Sequence, residues 1–172
     1  YAGQRCRPDI LLAVVFLTQR THEPRNEDKQ KLLKVMGYLR KYPLKSIRFT
    51  QKGEMKLYAW VDASYAVHHD AKSQFGLIIS IGELPDPMNI ILMKSKKDVF
   101  VATSSTHAEI NAVSYSRVFL LWALESMTEW GFPDAGPVTV YEDNISTIIA
   151  THDGRRPYSK LSHLNVRYFA LK

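Results

Sequence analysis

Between residues 46 and 143 the spacing of apolar side chains changes period twice, and this change restricts the fold more than any other feature of the chain. From Ser46 the pattern is extended, with segments at Ile47–Thr50, Leu57–Asp62, Phe75–Ile81 and Asn89–Met93 separated by turns at Gly53 and Pro85-Asp86-Pro87. Successive strands joined by short loops predict an antiparallel meander. Ile110, Val113, Arg117, Leu120, Leu121, Leu124 and Met127 then recur at three- and four-residue steps, which predicts one long helix. Thr103, Ser104, Ser105 and Thr106 offer it capping hydroxyls, and Gly131 and Pro133 stop it. Val138–Asp143 alternates again as a short strand, and Asn144 begins another helix. Gly154–Lys160 is a basic loop, followed by a last helical pattern at Leu161, Leu164, Tyr168 and Leu171. A long crossover helix returns the fourth strand parallel to the first, so the chain is expected to be α/β with a mixed sheet and flanking helices.

Residues 1–45 differ in character. Pro8 and Asp9 open a short buried helix over residues 9–20. Pro24, Asn26, Glu27 and Asp28 start a second, whose apolar positions are Leu32, Leu33, Met36 and Leu39 and whose end is marked by Arg40, Lys41 and Pro43. The expected division is a helical pair over 1–45 and an α/β domain over 46–172.

Of the 172 residues, 45% are hydrophobic and 23% charged, which supplies a core and excludes a disordered chain. Lys and Arg number 23 against 17 Asp and Glu, and the resulting +6 favours a polyanionic partner. The single cysteine, Cys6, excludes a disulfide framework and a Cys-rich zinc site. The longest apolar run, Ile10–Leu17, has eight residues, too few for a membrane span, and its flanks lack a signal-peptide cleavage site. The expected location is intracellular, cytoplasmic or nuclear, and the chain is not expected to be secreted.

Three carboxylates carry the chemical interest. Asp62 ends the first full strand, Glu109 lies in the first turn of the long helix, and Asp143 ends the last strand. A parallel return would make Asp62 and Asp143 neighbours, and the crossover helix could aim Glu109 at both. Carboxylates that close raise one another's pKa unless a cation lies between them. An all-oxygen set suits Mg²⁺ or Mn²⁺, and two such ions about 4 Å apart activate water and stabilise a leaving oxygen. Each residue also has an ordinary explanation: an Asp at a strand end forms turns, and a Glu in a first helical turn answers the helix dipole. Glu142 is left outside the group, because the two-residue strand period turns it to the opposite side of the sheet. His107-Ala108-Glu109 fits half of a zinc-deaminase signature whose Pro-Cys-x-x-Cys half is absent. His68-His69-Asp70 reads as an exposed loop, and Trp60, Trp122 and Trp130 read as core.

Trp60-Val61-Asp62-Ala63-Ser64-Tyr65-Ala66 with Lys72-Ser73-Gln74-Phe75-Gly76 resembles the first signature of Ty1/copia-type retrotransposon ribonuclease H (RNase H) domains. Met93-Lys94-Ser95-Lys96-Lys97, Ser104-Ser105-Thr106-His107-Ala108-Glu109, Tyr141-Glu142-Asp143-Asn144 and His163-Leu164-Asn165-Val166-Arg167-Tyr168 resemble four further blocks, in the family's order. Arg7-Pro8-Asp9-Ile10 and Leu32–Leu39 resemble the end of the reverse transcriptase that precedes the domain. The resemblance implies an RNase H fold with Asp62, Glu109 and Asp143 as catalytic ligands of two Mg²⁺ or Mn²⁺ ions. The reaction implied is endonucleolytic cleavage of the RNA strand of an RNA–DNA hybrid, leaving a 5′-phosphate and a 3′-hydroxyl. Ser64, Ser105 and Asn144 are the implied 2′-hydroxyl contacts, and Lys94, Lys96, Lys97, Arg155 and Arg156 the implied phosphate contacts. The family pattern adds a fifth strand and a final helix with a fourth acid, which would fall after Lys172. They would come from the remainder of a reverse transcriptase polyprotein or from another chain. Asn165 stands where the family has an aspartate, and Ile145-Ser146-Thr147 where it has glutamine-serine-alanine. The alternative is a catalytically silent RNase H-like scaffold or nucleic-acid-binding module within a larger ribonucleoprotein.

Overall fold

The computed structural model describes residues 2–47, 49, 53–85 and 89–153. Four strands, β1 (Lys56–Ser64), β2 (Gln74–Gly82), β3 (Ile90–Lys97) and β4 (Thr139–Tyr141), form one sheet in the order β3-β2-β1-β4. β1 pairs antiparallel with β2 and β2 with β3, whereas β4 lies parallel to β1. The helices are α1 (Ala2–Arg5), α2 (Leu11–Thr18), α3 (Asn26–Lys41), α4 (Ser105–Glu129) and α5 (Ile145–Asp153), with 3₁₀ turns at Pro8–Ile10 and Pro133–Ala135. The meander, crossover helix and parallel return are those expected from the periodicity, and the architecture is an RNase H-like α/β fold.

The core lies between α4 and one face of the sheet. Leu57, Ala59, Val61 and Ala63 of β1 and Phe75, Leu77 and Ile79 of β2 meet Ala108, Ala112, Ala123 and Met127 of α4. The alternation along β1 follows from the pleat, which sends every second side chain to the same face. The alanines let the helix backbone approach the sheet, and Met127 fills the gap at its far end. Burying side chains the size of Leu57, Leu77, Ile79 and Met127, each 2% exposed or less, contributes about 1.5–3 kcal/mol apiece.

Several expectations change. β1 runs on to Ser64, so Asp62 sits within the strand rather than at its end, and β4 stops at Tyr141, two residues short of Asp143. Ile47 and Phe49 belong to no strand; Arg48 and Thr50 lie outside the described residues, as do Asp86, Pro87 and the whole of 154–172, with Arg155, Arg156 and the last helical pattern. The first helix is not buried: in α2 only Leu11 is, while Leu12 and Phe16 are exposed. α3 begins where Asn26 and the acids predict, and buried Asp28 accepts the Arg25 N–H at 3.0 Å to close its first turn. Its Leu32, Leu33 and Met36 are nevertheless exposed: α3 rests against α2 and its Tyr38 hydroxyl donates to Asp9 in the Pro8–Ile10 turn at 2.9 Å, contacts that leave these three side chains uncovered. Trp122 and Trp130 are exposed too, and Trp60 is half-buried, stacked on Tyr141 at 5.4 Å between ring centroids. None of the three tryptophans is a core residue.

Candidate metal centre

Asp62, Glu109 and Asp143 each offer a carboxylate oxygen within 4.8 Å of the others. Three separate elements bring them together. The parallel pairing of Trp60 with Tyr141 carries Asp62 and Asp143, each two residues further on, to the same end of the sheet. Gly76 stands opposite Asp62 on β2, so no β2 side chain crowds that carboxylate.

Glu109 arrives from α4, whose start is firmly built. Ser104 caps the helix, its Oγ accepting the His107 N–H at 3.1 Å. His107 Nδ1 in turn accepts the Thr103 N–H at 3.1 Å and lies 3.0 Å from the Thr103 hydroxyl. His107 is therefore a fastener of the helix start. One turn on, Glu109 is 5% exposed, and its Oε2 has no hydrogen-bond partner among the described residues. Burial first, then the negative charges of Glu142, Asp62 and Asp143, push its carboxyl up to about 8.

Glu142 stands outside this group, as the strand period implied. The two-residue period holds, for Val140 and Glu142 line a groove with Val113, Leu120 and Leu124 on the α4 side. The negative charge of Glu142 contributes to the rise at Glu109, although it is not one of the converging acids. Glu142 Oε1 accepts the Asn144 N–H at 3.2 Å, its Oε2 is buried and unpartnered among the described residues, and burial raises its pKa, with the charges of Asp143 and Asp62 adding to the rise.

The nucleic-acid candidates are dispersed. Ser64 ends β1 on the face of Asp62, and Ser105 is exposed at the first position of α4. Asn144 accepts the Thr147 N–H through Oδ1 at 3.1 Å and so caps α5. The three lysines lie on β3, two strands away from β1. Lys94 Nζ sits 5.2 Å from the centroid of Phe119 and Lys96 Nζ 4.5 Å from that of Tyr115, whereas Lys97 pairs with Asp70 at 2.9 Å. His68, expected in a free loop, is half-buried and bonds Gln74 at 2.9 Å.

The donor set fits a hard divalent cation. It consists of oxygens alone, and it contains a buried carboxylate oxygen with no hydrogen-bond partner among the described residues. Fold and site together define an RNase H-like domain with an acidic cluster that could hold a metal ion. No family model and no solved structure matches the chain significantly. Over 169 residues, 96% of its length, the chain is 31% identical to the retrovirus-related Pol polyproteins from transposons RE1 and RE2 of Arabidopsis thaliana, and it spans 11% of each. It is also 30% identical over 117 residues to secreted RxLR effector protein 161 of Plasmopara viticola, spanning 67% of this chain and 79% of that protein. The chain belongs to the family these proteins share, and its Pol relatives support an origin in a retrotransposon Pol region. No helix among the described residues is long and apolar enough to cross a membrane.

Proposed function

We propose that this chain is the RNase H region of a retroelement Pol protein and hydrolyses the RNA strand of RNA–DNA hybrids. Residues 46–172 form that domain and 1–45 the end of the reverse transcriptase before it, with the rest of the polyprotein as the natural neighbour. The convergence of Asp62, Glu109 and Asp143, each with a carboxylate oxygen within 4.8 Å of the others, carries the reading, and Glu109 Oε2 is buried with no hydrogen-bond partner among the described residues.

Asp62, Glu109 and Asp143 would hold Mg²⁺ or Mn²⁺, which supplies Lewis-acid activation of water and stabilises the leaving oxygen. The protein's own contribution is to bring three carboxylates together before substrate arrives, two from β1 and α4 and one from the short link between β4 and α5. Glu109 is enclosed near the start of α4, and a cation held there would favour its charged form. Ser64 and Ser105, exposed beside the acids, are placed for contact with 2′-hydroxyls, and the net charge of +6 favours the polyanionic hybrid. Asn144 has its Oδ1 engaged with Thr147 and its side-chain amide left to donate.

One observation favours the silent-module reading: Lys94, Lys96 and Lys97 are engaged within the protein rather than presented as a row. A labelled RNA–DNA hybrid separates the two. The expected result is cleavage that requires Mg²⁺ or Mn²⁺ and falls to background in Asp62→Asn and Asp143→Asn. A hybrid that is bound but never cut, with affinity indifferent to both substitutions, would establish the scaffold instead.

A further inference from the structure

We infer that Asp98 is a positioning residue for the cation site: through Asn111 it fixes where α4 lies against the sheet, and so where Glu109 meets Asp62. The inference rests on the reading of Asp62, Glu109 and Asp143 as cation ligands.

The composition of α4 creates the need. The fully enclosed side chains it adds to the core are Ala108, Ala112, Ala123 and Met127. Apolar burial is non-directional, so it favours closeness without fixing register, whereas a hydrogen bond weakens steeply when misaligned. Asp98, the residue after β3, supplies such a bond. Its Oδ2 accepts the Asn111 side-chain amide at 3.0 Å, and its Oδ1 accepts the Phe100 N–H at 3.1 Å. Asp98 is 6% exposed and Asn111 3%, so water does not compete for the bond between them. The Asp98 N–H donates in turn to Ser73 O at 2.8 Å, and Ser73 Oγ accepts the Ala66 N–H at 3.3 Å. Ala66 lies two residues beyond the end of β1, the strand that carries Asp62, and Asn111 lies two residues beyond Glu109. One hydrogen-bonded series therefore joins the exit of β1 to the first turns of α4, the two elements whose acids must meet. A carboxylate buried with neutral donors is costly beside an apolar pair, and the return here is one defined position for the helix.

Two rival assignments exist. In one the pair steadies the core and does nothing for the site; in the other the charge of Asp98 attracts the cation and its hydrogen bonds are incidental. Asn111 Oδ1, buried and unpartnered among the described residues, gives a way to separate them. In Asp98→Asn the remaining oxygen still accepts the Phe100 N–H. Its amide donates to Asn111 Oδ1 once that side chain turns over, and the charge is gone.

Calorimetric titration of the full chain with Mn²⁺, alongside thermal melts of the metal-free protein, distinguishes these. Titrations are run well below every melting temperature, so that lost fold does not pass for lost affinity. Asn111→Ala strips Asp98 Oδ2 of its donor, and ion affinity should fall at least about tenfold, the scale of losses at residues that orient metal ligands. Asp98→Asn should bind as the wild type does. So should Tyr58→Phe, a control for lost stability, which gives up the hydrogen bond to Glu83 O near the opposite end of β1 from Asp62. Unchanged affinity in Asn111→Ala, even with a lower melting temperature, would make the pair structural and overturn the inference. A tenfold loss in Asp98→Asn would assign the effect to charge, and an equal loss in Tyr58→Phe would tie affinity to stability alone; either overturns it too. In each case the site reading stands if Asp62→Asn abolishes binding. Failure of the wild type to bind Mn²⁺, or indifference to Asp62→Asn, would remove the site reading and this inference with it. Should Asn111→Ala not fold, Asn111→Leu, which fills the space without a donor, is read by the same measurements with the same outcomes.

Discussion

A metal-free Glu109 holds its proton at neutral pH, because burial and three neighbouring acids raise its carboxyl from an ordinary 4.5 to about 8. The folded chain therefore binds that proton more tightly than the unfolded chain. The associated stability is fully present below pH 4.5, declines as pH rises, and is lost once pH passes about 8. Glu142, whose pKa is also raised, adds to the same trend. Thermal melts in chelator should show a melting temperature that falls from pH 5 to 8.5, and Glu109→Gln should flatten the fall. Equal slopes in both proteins would mean that Glu109 is not under this electrostatic load. The positions of Asp62, Glu109 and Asp143 were legible in sequence because each sits at a fixed offset from the start or end of an element. Strand alternation also set Glu142 apart from them, and the cluster does not contain it.

At the scale of the element, α4 matters most, since it closes the core and delivers Glu109. Ser104→Ala removes the acceptor for the His107 N–H and should cost about 1 kcal/mol, seen as a lower denaturation midpoint and a melting temperature about 2–4 °C lower. No change would mean that Thr103 and His107 suffice to hold the helix start. The ends of α4 were readable from its hydroxyls and from Gly131, but the side it buries was not. Apolar residues surround much of the helix, so Leu121 and Trp122 match the core stripe in type while remaining exposed. The same limit applies to α3. Its spacing of Leu32, Leu33 and Met36 correctly implied a helix, yet periodicity names an apolar side without naming what covers it.

For the whole molecule, cation binding and folding are linked. An ion that binds only the native chain adds stability by mass action, about 2.7 kcal/mol when its concentration is a hundred times Kd. Saturating Mg²⁺ should therefore raise the melting temperature of the wild type at pH 8, and Asp143→Asn should erase the rise. An equal rise in that variant would point to ions held elsewhere. The sheet order was predictable because a right-handed crossover after a meander leaves few places for the fourth strand. The exact ends of β1 and β4 were not, since pairing partners rather than local preference decide where a strand stops.

Asp62 and Asp143 become neighbours through the pairing of β1 with β4, strands that α4 and two further strands separate along the chain. Such distant pairing is among the slower events available to a chain, because a large loop must close before any contact rewards it. A partly synthesised or locally opened molecule would contain every acid and yet possess no ion-binding pocket. Any nuclease capacity of this chain would thus be confined to molecules that have finished closing, and ion uptake would time that final event.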